Sequence, residues 1–326
     1  MQSVPVAAIQ LRRLNRLLHE VREHNRFYTY KWWRAGVKLH ALESLEQLAA
    51  FPFTTRAELV ADQNARPPLG TNLTGPAQDF ERIHSSSGTT RAPILWADTG
   101  PSWAWVMHCS RVLYQLAGVS PADRLFFAMP FRRSSGPWIM YGGARSLGCA
   151  CFTAWNSSFE EQIACIQHAR PTVLVAKPLE LRRLADAAAK TGVDTLGLGM
   201  TRLISPGCGL DETRESLVQL WGAECFDRYG LTEAGSVAGE CTAHPGGMHL
   251  LEQEFIAEVI RPDTGQPVPD GKPGELVLTN LGRLARPIVR YRTGDLVRLV
   301  RHHHCPCGRP DAIIVGGVRR RALEQG

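Results

Sequence analysis

Arg228-Tyr229-Gly230-Leu231-Thr232-Glu233-Ala234-Gly235 divides the chain into two unlike halves. Upstream, short apolar runs at Leu125 to Met129, Thr172 to Ala176 and Arg202 to Ser205 alternate with helical patterns. Those patterns lie at Trp103 to Leu116, Phe159 to Ala169, Leu179 to Ala189 and Glu212 to Trp221. Strands alternating with helices predict an α/β layer structure around a largely parallel sheet. Downstream, helical periodicity stops. Strand runs at Phe255 to Ile260, Glu275 to Thr279, Ile288 to Tyr291 and Leu296 to Val300, punctuated by Gly and Pro, predict a small β-rich unit. The expected division is therefore residues 1–228, residues 229–318 and a basic tail over 319–326.

Further upstream, Ile9 to Tyr28 carries apolar residues at helical spacing and predicts an amphipathic helix. A short helix is expected around Leu42 to Ala49. Pro52 breaks the pattern, and Thr54-Thr55-Arg56-Ala57-Glu58 reads as a cap into another helix. Residues 66–78, rich in Pro, Gly, Asn and Thr, read as a loop.

With 326 residues the chain has ample material for real cores. No apolar run reaches the roughly 18 residues of a membrane span. Arg12, Arg13 and Arg16 stand where a signal peptide would be apolar, so a cytoplasmic protein without membrane association is expected. The net charge of +6 is spread along the chain, and only Arg319-Arg320-Arg321 forms a run. A scattered balance of this kind argues against a nucleic-acid partner. Nine cysteines in such a chain read first as metal ligands or packing residues, not disulfides.

Three stretches carry chemistry. Ser85-Ser86-Ser87-Gly88-Thr89-Thr90 follows a short strand and offers hydroxyls and open backbone N–H groups, the donors that wrap phosphate oxygens. In the dividing stretch, Tyr229 suits a purine face, Thr232 a phosphate, and the Glu233 carboxylate Mg²⁺. In Arg290-Tyr291-Arg292-Thr293-Gly294-Asp295, a carboxylate after a strand and a glycine turn suits two ribose hydroxyls.

In this order and spacing the three stretches resemble the adenylate-forming, AMP-binding superfamily, which makes acyl-AMP from ATP and a carboxylic acid. Phe51 to Leu59, Gly239-Glu240-Cys241, His249 to Leu281 and Cys305 to Arg309 resemble its phenylacetate–CoA ligase branch. Gly70 to Pro76 and Trp96 to Trp105 are similar to a subgroup linked to phenazine-type antibiotic biosynthesis. The resemblance implies layered α/β sub-domains with a small β-rich, barrel-like one. It implies that Ser86, Ser87, Gly88, Thr89 and Thr90 cradle phosphates, and that Tyr229 and Gly230 border adenine. Thr232 then faces the α-phosphate, Glu233 binds Mg²⁺ and Asp295 holds ribose. Arg309 and Asp311 fall in the family's hinge segment. The stretch from Pro130 to Trp138 matches the acyl pocket, with Phe131 and Trp138 suited to an aromatic acid and Arg132 or Arg133 to a carboxylate.

Cys241, His249, Cys305 and Cys307 make a Cys₃His set, typical of a closed structural zinc site. Members of the branch are similar in carrying zinc near these residues. His244 and His302, His303 and His304 rival His249 as the histidine ligand. Cys109, Cys149, Cys151, Cys165, Cys208 and Cys225 read as packing residues.

The sequence departs from the family at three places. Thr90-Arg91-Ala92-Pro93 replaces the usual Thr-Gly-Lys-Pro, so Arg91 is the expected substitute cation. Ser205 to Gly209 replaces the usual adenine loop. No lysine follows Lys272, so the family's small C-terminal domain and its lysine are expected to be missing. The leading expectation is an enzyme that activates an aryl or related acid with ATP and Mg²⁺, passing the acyl group to CoA, a carrier thiol or an amine, with a homodimer as its assembly. The alternatives are a catalytically impaired nucleotide- or aryl-binding homologue that needs a partner domain, and a zinc-dependent interaction protein.

Overall fold

The computed structural model describes residues 5–38, 40–86, 93–208 and 211–320, without the side chains of Asp211 and Glu212. The chain begins with α1 (Val6–His24) and α2 (Arg26–Arg34). One helix was expected across this stretch, and Asn25 breaks it. Asn25 is extended (φ −113°), accepts from Tyr28 N and donates to Asn72 Oδ1 and Thr74 Oγ1. A buried Asn satisfied in this way caps a new helix and does not continue the old one. The apolar stripe Leu14, Leu17, Leu18 and Val21 is buried, as its spacing requires. Leu45–Ala50 forms a 3-10 turn where a short α-helix was expected. The Thr55–Glu58 capping box opens α3 (Arg56–Ala65).

An antiparallel hairpin follows, β1 (Phe80–Ser85) and β2 (Leu95–Thr99), with His84 opposite Trp96. Thr99 caps α4 (Gly100–Leu116) by accepting from Ser102 N. Then come β3 (Arg124–Phe127), α5 (Ser135–Leu147), β4 (Ala150–Thr153), α6 (Phe159–Ala169), β5 (Val173–Val175), α7 (Pro178–Lys190), β6 (Arg202–Ile204), α8 (Asp211–Trp221) and β7 (Glu224–Phe226). The five strands pair in parallel in the order β4-β3-β5-β6-β7. Successive strand residues point to opposite faces. Phe126, Leu174 and Leu203 pack against α6, α7 and α8 on one face, while Leu125, Phe127, Val175 and Ile204 pack with α4 and α5 residues on the other. This is the expected parallel α/β layer.

The rest is antiparallel: β8 (Arg228–Leu231), β9 (Gly235–Cys241), β10 (His244–Leu250), β11 (Phe255–Ile260), β12 (Pro273–Asn280), β13 (Tyr291–Val300) and β14 (Ile313–Arg320). They form one seven-stranded sheet in the order β11-β12-β13-β14-β10-β9-β8. The separate strand expected at Ile288 to Tyr291 is a bend that enters β13. Arg290 there has φ +47° and pairs with Glu258 (2.6 Å) while donating to the carbonyls of Ala49 and Phe51. The Gly294-Asp295 segment, expected as a turn after a strand, lies inside β13, with Gly294 at φ +75° marking an irregularity in the ladder. Packing does not respect the expected boundary at residue 228. Leu59, Ile94, Trp96, Cys109 and Leu113 from upstream share one core with Val237, Leu250, Phe255, Leu278 and Ile314. No helix among the described residues is long and apolar enough to cross a membrane.

Candidate functional site

The dividing stretch folds as a hairpin. β8 and β9 pair with Leu231 opposite Gly235, so Thr232, Glu233 and Ala234 form the connecting turn. Glycine is demanded at both ends of it. A Cβ at Gly230 would sit 2.5 Å from the Gly235 carbonyl oxygen, and Gly235 itself takes φ +87° with Val106 against it. The expected loop is thus a strand pair whose tip presents the Thr232 hydroxyl and the Glu233 carboxylate.

Three contacts tie this tip to distant segments. The Tyr229 hydroxyl donates to Asp295 Oδ2 at 2.7 Å, joining two stretches 66 residues apart. Burial raises the Asp295 pKa, and the Tyr229 bond offsets this in part. Burial, then the Asp295 charge, keeps the Tyr229 phenol well above its ordinary value and therefore protonated. The Tyr291 hydroxyl lies 3.4 Å from Glu233 Oε1. Arg283, fully buried, forms a fork to Asp98 (Nε–Oδ1 2.7 Å, Nη2–Oδ2 2.6 Å). Its Nη1 donates to the carbonyls of Thr232 (2.6 Å) and Glu233 (3.2 Å), fixing the backbone of the tip.

Arg283 and Asp98 are absent from the sequence reading. So is Arg286, fully buried with its guanidinium 4.8 Å from the Trp96 ring and no hydrogen-bond partner on Nε, Nη1 or Nη2. Burial lowers its pKa to about 10. The available signal was two arginines in the otherwise apolar run Leu281 to Pro287 and one acid in the apolar β2.

Other expected residues fall as follows. Ser87, Gly88, Thr89, Thr90 and Arg91 lie outside the described residues. The Ser86 hydroxyl takes bonds from Ile94 N (3.0 Å) and Arg56 Nη2 (3.2 Å), which closes the base of the loop. Arg309 pairs with Asp311 at 2.6 Å.

A cavity of about 260 Å³ opens beside the tip, lined by residues 228–232, Gly235 and Ser236 on one side and by 134–137, Ile139 and Met140 on the other. The expected pocket residues Phe131, Arg132 and Trp138 are not on its wall; their neighbours Pro130 and Ser134 to Pro137 are. The reason is that α5 begins at Ser135. This turns Phe131 inward against Phe127, Trp138 and Tyr141, while Arg132 is exposed and Trp138 is 43% exposed.

The Cys₃His set does converge. The ligand atoms of Cys241, His249, Cys305 and Cys307 all lie within 4.8 Å of one another. Cys241 Sγ is 3.6 Å from Cys305 Sγ, and Cys307 Sγ is 3.4 Å from His249 Nε2. Zn–S and Zn–N bonds of about 2.3 and 2.0 Å in a tetrahedron give edges of roughly 3.5–3.8 Å; these two separations are close to that, and thiol and imidazole are ligand types that zinc takes. His244 and the three consecutive histidines are not in the group. His249 comes from β10, beside β9 that ends at Cys241 and β14 that follows Cys305 and Cys307.

A parallel α/β layer joined to an antiparallel sheet is the fold of an adenylate-forming ligase. Residues 101–282 match the AMP-binding enzyme family, and the chain belongs to that family of acyl-AMP-forming ligases. Within it, the chain is similar to the phenylacetate–coenzyme A ligases. It is 32% identical over 305 residues to that of Thermus thermophilus, covering 93% of this chain and 67% of the relative. It is 30% identical over 300 residues to that of Escherichia coli K12, covering 90% and 67%. The chain thus spans about two thirds of the length of these relatives. In fold it is similar to 2-hydroxyisobutyryl-CoA ligase in complex with 2-HIB-AMP and CoA, with TM-score 0.93 and 24% identity over 99% of this chain and 70% of that one. It is also similar to ATP-bound MatB from Rhodopseudomonas palustris, with TM-score 0.57 over 77% of this chain.

Proposed function

We propose that the chain activates an aryl or related carboxylic acid as its acyl-AMP, the acyl group then passing to a thiol such as that of CoA. One observation carries this reading: the Tyr229–Asp295 bond sets an aromatic ring and a carboxylate together beside the cavity, at the root of a tip that carries Thr232 and Glu233. In this reading Asp295 accepts from the ribose hydroxyls, and the ring of Tyr229 with Gly230 borders adenine. The Thr232 hydroxyl donates to the α-phosphate, and Ser86 to Thr90 with Arg91 surround the outer phosphates. A carboxylate oxygen of the acid attacks the α-phosphorus, the bond to the bridging oxygen breaks, and pyrophosphate leaves with that electron pair. Glu233 would hold Mg²⁺, which supplies charge neutralisation on the phosphates when bound. The oriented donors stabilise charge that grows in the transition state.

Arg286 deepens this assignment. It stacks on Trp96, which pairs with His84 in the hairpin whose connection is the phosphate loop, and its three nitrogens are unpaired. It brings positive charge to the hairpin that carries this loop, in which Ala92 stands where the family has lysine. Cys241, His249, Cys305 and Cys307 would hold a structural zinc that pins the ends of β9 and β10 to the segment before β14. Three thiolates and an imidazole leave no open position for catalysis. The secondary-metabolite setting rests on Gly70 to Pro76 and Trp96 to Trp105 alone.

The test follows pyrophosphate release from ATP and Mg²⁺ with a panel of aryl acids, beside Glu233→Gln and Asp295→Ala. Acid-dependent release that falls about 10²-fold or more in both variants is expected, the usual loss for an oriented charge-stabilising group. No release with any acid, while ATP still binds by calorimetry, refutes the stand-alone ligase and favours the binding homologue.

A further inference from the structure

The cavity beside the tip carries a cation for which the reaction just described has no use. Arg228 is 8% exposed and lies on its wall. On β8, successive side chains face opposite ways. Tyr229 points to Asp295, so Arg228 points to the other face, where α4 and β9 receive it. Nη2 donates to Ser236 Oγ (2.7 Å) and Ser110 Oγ (3.1 Å), and the guanidinium sits 5.2 Å from the Tyr114 ring. Nη1 has no hydrogen-bond partner. No ion pair among the described residues includes Arg228. The adjacent Asp227 spends its Oδ1 on the backbone N–H groups of Gly207 and Arg228. Burial lowers the Arg228 pKa, and Tyr114 opposes the shift.

The rest of the wall has the same bias. Among the described residues it carries two cations, Lys177 and Arg228, and no acidic side chain. α5 starts there with no side-chain cap from Ser134 and no acid in its first turn, which leaves the positive end of its dipole uncompensated. Ser135 Oγ, in a residue 1% exposed, is a second unpartnered polar atom on this wall. A buried guanidinium without a counter-charge is strongly destabilising unless something negative arrives to pair with it. The two serines hold Nη2, while Nη1 is buried and unpaired; a carboxylate that reached it would complete the pairing arginine makes with such groups. The remaining wall, from Met129, Pro130, Pro137, Ile139 and Met140, is apolar and suits a hydrocarbon body.

We infer that the acid activated by this chain is a dicarboxylic acid, whose apolar middle fills the cavity and whose second carboxylate, not the reacting one, pairs with Arg228. The second carboxylate is unchanged by the reaction; it selects and orients the substrate. This rests on the acyl-activating reading above, so the experiment must separate the two.

The probes are phenylacetate, 4-methylphenylacetate, and 1,3- and 1,4-phenylenediacetate, which add an uncharged group or a second carboxylate to one scaffold. Binding to wild type is measured by calorimetry without ATP, and pyrophosphate release with ATP and Mg²⁺. At least one diacid is expected to bind and turn over about 10–100-fold better than 4-methylphenylacetate, the discrimination typical of a hydrogen bond to a charged group. Arg228→Leu is expected to reverse that preference and Arg228→Lys to restore part of it. The inference is overturned if wild type takes the monoacids as well as either diacid, or if Arg228→Leu keeps the diacid preference. If Arg228→Leu does not fold, the wild-type comparison alone decides. If no acid releases pyrophosphate, the ligase reading fails by itself, and the binding arm still reads the Arg228 assignment.

Discussion

Replacing Asp98 by Asn probes the contact that holds the Thr232–Glu233 tip. Both side chains of the Asp98–Arg283 pair are fully buried. Asn keeps Oδ1, so the Arg283 Nε bond survives in neutral form. Its Nδ2, however, turns a donor toward the Nη2 donor that Oδ2 accepts from at 2.6 Å. One charge-assisted bond is lost, another is weakened, and a guanidinium is left buried without its counter-ion. Bonds to charged groups contribute about 1.5–3 kcal/mol each, and breaking a buried pair costs about 3–5 kcal/mol. A loss of about 3–4 kcal/mol is expected, a large fraction of the roughly 5–15 kcal/mol that stabilises a folded protein. With an unfolding entropy of about 2.1 cal/mol/K per residue, it lowers Tm by roughly 5 °C. Urea unfolding and thermal melts measure the loss. Because Arg283 Nη1 also holds the carbonyls of Thr232 and Glu233, adenylation should fall as well. The double variant Asp98→Asn, Arg283→Met removes the stranded charge and should regain stability but not activity. The reasoning fails if Asp98→Asn stays within about 1 kcal/mol of wild type, or if the double variant is no more stable than the single.

Two further outcomes follow from the same geometry. Metal analysis should find one zinc per chain, lost in Cys305→Ser, with a melting temperature lowered both in that variant and by a strong chelator; a chain with no zinc and wild-type stability in Cys305→Ser would remove the metal site. Asp227 is raised by burial to about 6. Its folded pKa lies above the unfolded value of about 3.9, so the native state holds the extra proton and stability falls as pH climbs from about 4 to 6, by roughly 3 kcal/mol. Asp227→Asn keeps an Oδ1 acceptor for Gly207 N and Arg228 N, so the wild-type-minus-variant stability difference should decline across that window. A flat difference would show that Asp227 is not the titrating group.

The elements read from the sequence are those whose signals are local. α6 was legible to the residue because Ser158 and Glu161 form a complete capping box ahead of an apolar stripe. α5 was not, because its sequence carries Gly142 and Gly143, poor helix formers. Those glycines serve α4 instead: a Cβ at Gly142 would lie 2.1 Å from Met107 Sδ, and at Gly143 2.3 Å from Ser110 Oγ. A tertiary close approach erased a local signal. β4, a short edge strand with three of its four residues exposed, was hidden for a related reason: it buries little of its own surface.

The site divides along the same line. Tyr229, Thr232, Glu233 and Asp295 stand in recognisable strings, because a turn that presents a hydroxyl and a carboxylate needs glycines at set offsets. The residues that decide how the site is held and what it selects carry no such string. Asp98 meets Arg283 across 185 positions, and Arg228 meets Ser110 across 118. A solvated arginine and a buried one are the same letter, and only the fold distinguishes them. Three arginines buried around one hairpin tip therefore have different duties by their partners. Arg283, fully paired, positions backbone. Arg286 lies against Trp96 with its three nitrogens unpaired, and in the proposed reading it offers charge to phosphate. Arg228, half-paired on the cavity wall, has Nη1 buried and unpaired, the atom assigned above to a second carboxylate. The number of unpaired buried nitrogens rises from Arg283 to Arg228 to Arg286, so truncating Arg283 should act through stability, while on the proposal above changing Arg228 should act through which acid is chosen.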